Sequence, residues 1–297
     1  MIYEHPLAYL LGLEGVALLR SFTGEHDREF VTARIAEVRR LLDDESLADA
    51  AVEVERVDPV TGYRAWSRTY DDGRNSAFDF DEPVVGEILD GLPTGVAVDA
   101  ACGTGRFAEI LAGRGHRVIG VDSSPEMLAR ARERVPAGEF AVGELTGMPV
   151  GDAAADLVVC ALALTHVPSL EPVFAEFARV LRPGGHLVIS DMHPGRVMFG
   201  SIPPVRDADG RPGRLVSHRH ELGDYLRTAL PLGLQLRHYD EPPLPANPVP
   251  PGPAPAEPGP WDCWPWSLAA MVPEATAAAS AGMPATMIWH FQLPGRS

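Results

Sequence analysis

The chain of 297 residues contains no lysine: all 25 of its basic residues are arginine. That absence excludes a Schiff-base lysine, a pyridoxal-phosphate anchor and the phosphate-loop lysine of nucleoside triphosphatases. Cysteine is scarce too. Cys102, Cys160 and Cys263 stand far apart with no C-x-x-C and no ligand spacing, so neither a disulfide framework nor a zinc cluster is indicated. A reducing, cytoplasmic setting without a bound metal is expected. Positive charge is in deficit: 41 acidic residues give a net charge of −16, and no basic run reaches five residues. Phosphate-backbone binding draws on clustered cations, so nucleic acid is not an expected partner. No apolar run approaches 18 residues, and Glu4 and His5 precede the first apolar stretch where a leader would be positive. Neither a membrane span nor a signal peptide is expected.

With 45% hydrophobic and 22% charged residues, the chain has the composition of an ordinary globular protein. Its length suits two domains, or one large α/β domain with an elaboration. Residues 1–57 read as a helical extension, either a lid or a homo-oligomer contact: Leu7 to Leu19 is largely apolar, and Val31, Ile35, Val38 and Leu42 recur at helical spacing behind Asp27, an N-cap candidate. Residues 58–82 read as a loop-and-turn connector anchored by Tyr63, Trp66, Tyr70, Phe78 and Phe80.

Between residues 83 and 297 strand and helix patterns alternate. Helices are expected at 83–90, 105–113, 125–134, 171–181, 219–231 and 267–281. Strands are expected at 96–98, 117–121, 139–143, 156–163, 186–191, 234–239 and 285–292. This alternation predicts an α/β fold built on a doubly wound, mostly parallel sheet of seven strands. Two insertions interrupt it, 194–218 and 241–265. The second carries nine prolines among the 18 residues from Pro242 to Gly259 and is expected to be extended.

The strongest local feature is Val98-Asp99-Ala100-Ala101-Cys102-Gly103-Thr104-Gly105-Arg106, where a strand turns into a helix through two glycines. Glycine there lets backbone approach a ligand, and the helix start offers free N–H groups. Seventeen residues after Gly105, Asp122 closes the second strand, where an open α/β sheet places a carboxylate for ribose hydroxyls. These residues alone suit either a nicotinamide dinucleotide or another adenosine-containing cofactor.

Further motifs separate the two: Gly143-Glu144-Leu145 after the third strand, Leu181-Arg182-Pro183-Gly184-Gly185 before the fifth, Asp122-Ser123-Ser124-Pro125-Glu126-Met127-Leu128, and Ala161-Leu162-Ala163-Leu164-Thr165-His166-Val167. Together they resemble the class I S-adenosylmethionine-dependent methyltransferases, Rossmann-like enzymes, over roughly residues 83–192. The resemblance implies S-adenosyl-L-methionine as cofactor and S-adenosyl-L-homocysteine as product. It implies that Asp99, Ala100, Gly103 and Gly105 border the methionine and ribose part, with Asp122 on the ribose hydroxyls. Ser123 and Met127 would flank the adenine, Glu144 and Leu145 would face its edge, and Ala161 and Tyr70 would complete the pocket, Tyr70 toward the amino-acid end. Glu144 departs from the aspartate usual in that family, which leaves a backbone contact from Leu145 as the alternative.

Methyl transfer is chiefly an alignment problem, and a hydroxyl or carbon acceptor also needs a base. His193 and His166 follow strands at the carboxyl edge of the sheet and are the catalytic candidates; His218, His220 and Tyr225 stand further off. Cys102 at a helix start is a nucleophile only in form, since any small residue suits the position. The expected activity is methylation of a small, partly apolar molecule, at oxygen first and at carbon or nitrogen as alternatives. The lysine-free, Ala/Gly/Pro/Arg-biased composition points to bacterial secondary metabolism. The rivals are an NAD-dependent oxidoreductase and a non-catalytic adenosyl-binding protein.

Overall fold

The computed structural model describes residues 1–67, 70, 77–207, 209–244 and 252–295. Parts of the connector (68–69 and 71–76), residue 208 of the first insertion and residues 245–251 of the proline-rich stretch lie outside the described residues. The chain divides into two compact units. One comprises Met1–Val57, Phe199–Leu215 and Pro243–Met283; the other comprises Asp58–Met198, Val216–Pro242 and Pro284–Ser297.

In the first unit, helix Pro6–Arg20 packs on helices Arg28–Leu42 and Pro273–Ser280. Asp27 caps the second of these, its carboxylate accepting the Phe30 N–H at 2.9 Å. Leu10, Leu13 and Ala17 are buried with Leu41, Leu47, Trp261 and Trp264 in one apolar cluster. Residues 1–57 are not wholly helical, as the sequence reading had it. Ile2–Glu4 pairs antiparallel with Val52–Val57, and that strand runs parallel to Pro212–Leu215, itself paired with Pro204–Arg206. The run Val52-Glu53-Val54-Glu55 alternates with period two, the signature of a half-buried strand. Arg214 ties the sheet to the aromatics: its guanidinium donates to both Glu4 oxygens (2.9 and 3.0 Å) and lies 4.8 Å over Trp261.

The unit boundaries differ from those drawn on the sequence. Residues 199–215, read as an insertion of the α/β domain, and the helical stretch before the last strand both belong with the N-terminal helices. That stretch is two helices, Trp266–Met271 and Pro273–Ser280, because Pro273 has no N–H to continue the first.

The second unit is the expected seven-stranded sheet. Its strands are β1 (Val96–Ala100), β2 (Arg117–Asp122), β3 (Glu139–Val142), β4 (Ala155–Ala161), β5 (Leu181–Met192), β6 (Gln235–Asp240) and β7 (Thr286–Gln292). The order is β6-β7-β5-β4-β1-β2-β3, parallel except that β7 runs antiparallel to both neighbours. The order reverses between β1 and β4, and the crevice outside their carboxyl ends is where such sheets bind ligands. The connector is more regular than expected. Pro59–Trp66 is a helix capped by Asp58, whose carboxylate accepts the Thr61 N–H at 2.9 Å, and Phe78–Asp90 is another. Asp58 followed by Pro59 at the first helical position is a start signal that Gly62 obscured.

Candidate functional site

A cavity of about 370 Å³ opens over the carboxyl ends of β1, β2 and β4. Its floor is the β1 turn. Ala101 and Gly103 line it, and Gly103 adopts φ +52° with nothing within 4 Å of where a Cβ would stand, so its backbone face is open. Ala101 adopts φ 57° and Leu162, after β4, φ 54°; both are left-handed positions that L side chains rarely take, and both border the cavity. Strain of that kind collects at ligand sites.

Gly105 does something else. At φ +84°, an added Cβ would stand 3.1 Å from both Cα and Cβ of Ala131, so this glycine lets helix Arg106–Gly113 pack closely on helix Pro125–Arg134. It is absent from the cavity lining, as are Ala100 and Asp99, which are buried beneath the turn. Ala101, one residue further along, takes the place the sequence reading gave Ala100. The two glycines share one motif, and only their backbone geometry separates ligand approach from helix packing.

Asp122 organises the second wall. Its two carboxylate oxygens accept the N–H groups of Gly103 and Ser124, each at 2.8 Å. Burial pushes its carboxyl up, and those N–H bonds pull it back. Ser123, Ser124 and Met127 follow it along the lining, and Gly143, Glu144, Leu145 and Thr146 face them from the end of β3. Ala161, Leu162 and Ala163 close the third side. Helix Pro59–Trp66 covers part of the opening with Pro59, Val60 and Tyr63, and Tyr70 follows.

His166 lines the mouth in a 3-10 turn, Leu164–His166. Its Nδ1 lies 2.9 Å from the Val216 carbonyl, and its Nε2 lies 3.0 Å from the Tyr63 hydroxyl. A carbonyl only accepts, so Nδ1 carries the proton. Burial pushes the imidazole down from its ordinary value, which keeps the ring neutral and Nε2 bare. The Tyr63 hydroxyl therefore donates to Nε2. Burial also holds the phenol well above its ordinary range. From sequence, Tyr63 belongs to an aromatic cluster that either packs or forms a lid, and nothing there marks its hydroxyl for His166.

Buried carboxylates support this edge of the sheet. Asp191, at the end of β5, is pushed up to about 7 by burial, and it accepts from the backbone of Leu164 and Thr165 in the turn that carries His166, and from the Tyr225 hydroxyl at 3.2 Å. Tyr225 is thus a buried prop. His218 and His220 brace the same stretch: the His218 N–H donates to the Thr165 carbonyl (2.6 Å), and His220 Nε2 donates to the Val167 carbonyl (2.8 Å). His193 is not brought to the cavity. Its Nδ1 accepts the Gly195 N–H at 3.1 Å and its Nε2 lies 3.6 Å from Glu241. Cys102 is buried, and desolvation pushes its thiol up, the opposite of an activated nucleophile.

Beside the turn, Asp81 is fully buried and accepts a bidentate pair from Arg106 (both 2.8 Å) and the Ser190 hydroxyl at 2.9 Å. No pattern in the sequence links these three; the contact exists only once two helices and a strand meet.

A doubly wound sheet of this order, with a cleft at its reversal point and a carboxylate ending β2, is the class I methyltransferase architecture. Residues 98–189 match the methyltransferase domain family, and S-adenosylmethionine is the cofactor that such a domain implies. Among curated proteins, the chain is similar to the malonyl-[acyl-carrier protein] O-methyltransferase of Serratia marcescens, 37% identical over 165 residues, covering 48% of this chain and 62% of that one. It is also similar to the arsenite methyltransferase of Halobacterium salinarum, 42% identical over 83 residues, covering 26% of this chain and 21% of that one. The chain thus spans less than two thirds of the length of either relative. Among solved structures, the DhpI–SAH complex superposes with a TM-score of 0.53 at 22% identity, covering 79% of this chain and 94% of that one, a likeness of fold.

The residues present fit that cofactor. The open Gly103 backbone admits a close ligand, and the Asp122 oxygens, each holding one N–H, retain acceptor capacity for two ribose hydroxyls. Asp99 Oδ2 is buried with no hydrogen-bond partner among the described residues, an acceptor two residues from the turn that a cationic ligand would favour. Among the described residues no cluster of three or more His, Cys, Asp or Glu could hold a metal ion, and no helix is long and apolar enough to cross a membrane.

Proposed function

We propose that the chain transfers the methyl group of S-adenosylmethionine to a small, partly apolar molecule, with oxygen as the acceptor atom. The observation that carries this reading is the cavity itself. Its lining joins Gly103, Asp122, Ser123, Met127 and Leu145 with Tyr63 and His166 and the apolar Val60, Leu162, Val167 and Pro172. When bound, the cofactor supplies an electrophilic methyl on a sulfonium. Asp122 would hold its ribose, Ser123 and Met127 would flank its adenine with Glu144 and Leu145 at its edge, and Asp122 with Asp99 buried beneath the turn would favour its positive charge.

A neutral histidine at the mouth suits an acceptor that must lose a proton, a hydroxyl before an amine. The names of the relatives support methyl transfer and differ in acceptor, malonyl-[acyl-carrier protein] in one and arsenite in the other. A carbon or nitrogen acceptor remains the alternative, and a natural-product intermediate of a high-GC bacterium remains the proposed context. A homo-oligomer through the N-terminal helices belongs to the same proposal, and light scattering tests it: a monomer at micromolar concentration would overturn it. The activity is tested by incubating the protein with methyl-labelled S-adenosylmethionine and a panel of phenols, alcohols, amines and carboxylic acids. Label in a hydroxyl compound or a carboxylic acid supports the oxygen assignment; label only in amines or at carbon overturns it.

A further inference from the structure

The His166 ring has one lone pair, on Nε2, and the structure shows it already engaged by the Tyr63 hydroxyl at 3.0 Å. The other nitrogen is committed to the Val216 carbonyl at 2.9 Å. The two rings meet edge to face, centroids 5.6 Å apart at 82°. Both residues line the same cavity. An acceptor entering that cavity finds the histidine lone pair already engaged, while the tyrosine oxygen keeps two lone pairs of its own.

We propose that Tyr63 is the catalytic residue that contacts the acceptor, and that His166 acts through it as the terminal proton acceptor of a two-residue relay. This rests on the methyl-transfer reading above and specifies its acceptor as a proton-bearing group, a phenol, alcohol or carbon acid, in preference to a carboxylate. As the bond from acceptor to methyl forms and the methyl–sulfur bond opens, its electron pair staying on sulfur, Tyr63 Oη takes the acceptor's proton. The hydroxyl proton of Tyr63 passes in the same event to His166 Nε2. The imidazolium so formed keeps its Nδ1–H on Val216 and returns the extra proton to solvent after product leaves. The neutral, desolvated state of both groups fits the role, since neither starts the cycle charged.

The test compares the wild type with Tyr63→Phe, His166→Asn and the double variant. Calorimetry with S-adenosylhomocysteine and thermal melting first show that cofactor site and fold are intact in each. Nitrogen-15 NMR of labelled histidines, with His166 identified by its loss in His166→Asn, should show Nε2 unprotonated in the wild type and shifted in Tyr63→Phe. With methyl-labelled S-adenosylmethionine and a phenol panel, Tyr63→Phe should lower kcat by about 10²–10³-fold with the cofactor's KM unchanged. Its rate should then climb with pH where the wild type is level. The double variant should be no worse than the weaker single, as for groups that act as a unit. A Tyr63→Phe enzyme within threefold of the wild type overturns the relay, as does a His166 protonated on Nε2 or methylation confined to carboxylates. If the adenosyl pair binds and no hydroxyl or carbon acid is methylated, the relay is wrong and the domain assignment stands. If neither binds, the methyl-transfer reading falls with it.

Discussion

The carboxylate of Asp122, at the end of β2, holds the backbone N–H of Gly103, in the turn after β1, at 2.8 Å. One contact thus fixes the glycine turn and the ribose-facing acid relative to each other, and the same carboxylate starts the next helix through Ser124. Replacing Asp122 with Ala removes both anchors and the proposed ribose acceptor. S-adenosylmethionine binding should weaken by about 1–3 kcal/mol, measured by calorimetry. An unchanged dissociation constant would contradict the assignment.

The two glycines of the turn should fail differently. Gly105→Ala forces a methyl to 3.1 Å from Ala131 at a left-handed φ and should cost roughly 2 kcal/mol of stability. Gly103→Ala meets open space, so its stability cost is the smaller one of backbone strain, and the lost affinity for S-adenosylhomocysteine is the larger effect. Denaturant midpoints and calorimetry on both variants check the contrast. Equal effects on both quantities would contradict it.

How much of this was legible beforehand follows from the range of the interactions. The sheet could be read because each strand carries its own apolar run and each turn its own glycine, aspartate or serine. Asp122, Ser123, Met127, Glu144 and Leu145 sit at fixed offsets from strand ends, so their placement along the lining follows from local pattern. Tyr63 facing His166 joins residues 103 apart in sequence, and Asp81 meeting Ser190 spans 109; neither distance leaves a local mark. His193 misled because standing after a strand places a residue at the correct edge without aiming its side chain.

Removing the acid beneath the turn should be severe. Asp81→Ala strands the Arg106 guanidinium, which is four-fifths covered, against Phe78 at 3.9 Å and Phe107 at 4.3 Å. Breaking one side of such a pair typically costs about 3–5 kcal/mol. Urea unfolding measures it, and a loss under about 1 kcal/mol would show that Glu82, at 3.2 Å, suffices as partner.

The buried carboxyls should contribute less to stability at neutral than at acidic pH, while histidines pushed down by burial, His166 and His290 among them, work the other way. Glu14, on helix Pro6–Arg20, is fully covered, and burial pushes its carboxyl up to about 7 against the pull of Arg34 at 3.0 Å. An acid raised in the folded state binds its proton more tightly there than when unfolded. Its contribution is complete below about pH 4.5 and is lost as pH rises through about 7. Asp99 and Asp191, both raised to about 7, act in the same direction. Across pH 4.5–8 the melting temperature of the wild type should therefore fall relative to that of Glu14→Gln, which lacks the titrating carboxyl. An unchanged slope in that variant would remove Glu14 from the account.

His193 stands apart from the cavity, bound to Gly195 and near Glu241. His193→Ala should leave the affinity for S-adenosylhomocysteine within about twofold, by calorimetry. A tenfold loss would return His193 to the site.

The central claim is that the cleft at the β1/β4 reversal holds an adenosyl sulfonium. Titrating S-adenosylmethionine, S-adenosylhomocysteine and the nicotinamide dinucleotides into the purified protein by calorimetry tests it most directly. The account predicts dissociation constants of roughly 1–100 μM for the adenosyl pair and no heat from the dinucleotides. Dinucleotide binding in place of the adenosyl pair would contradict it.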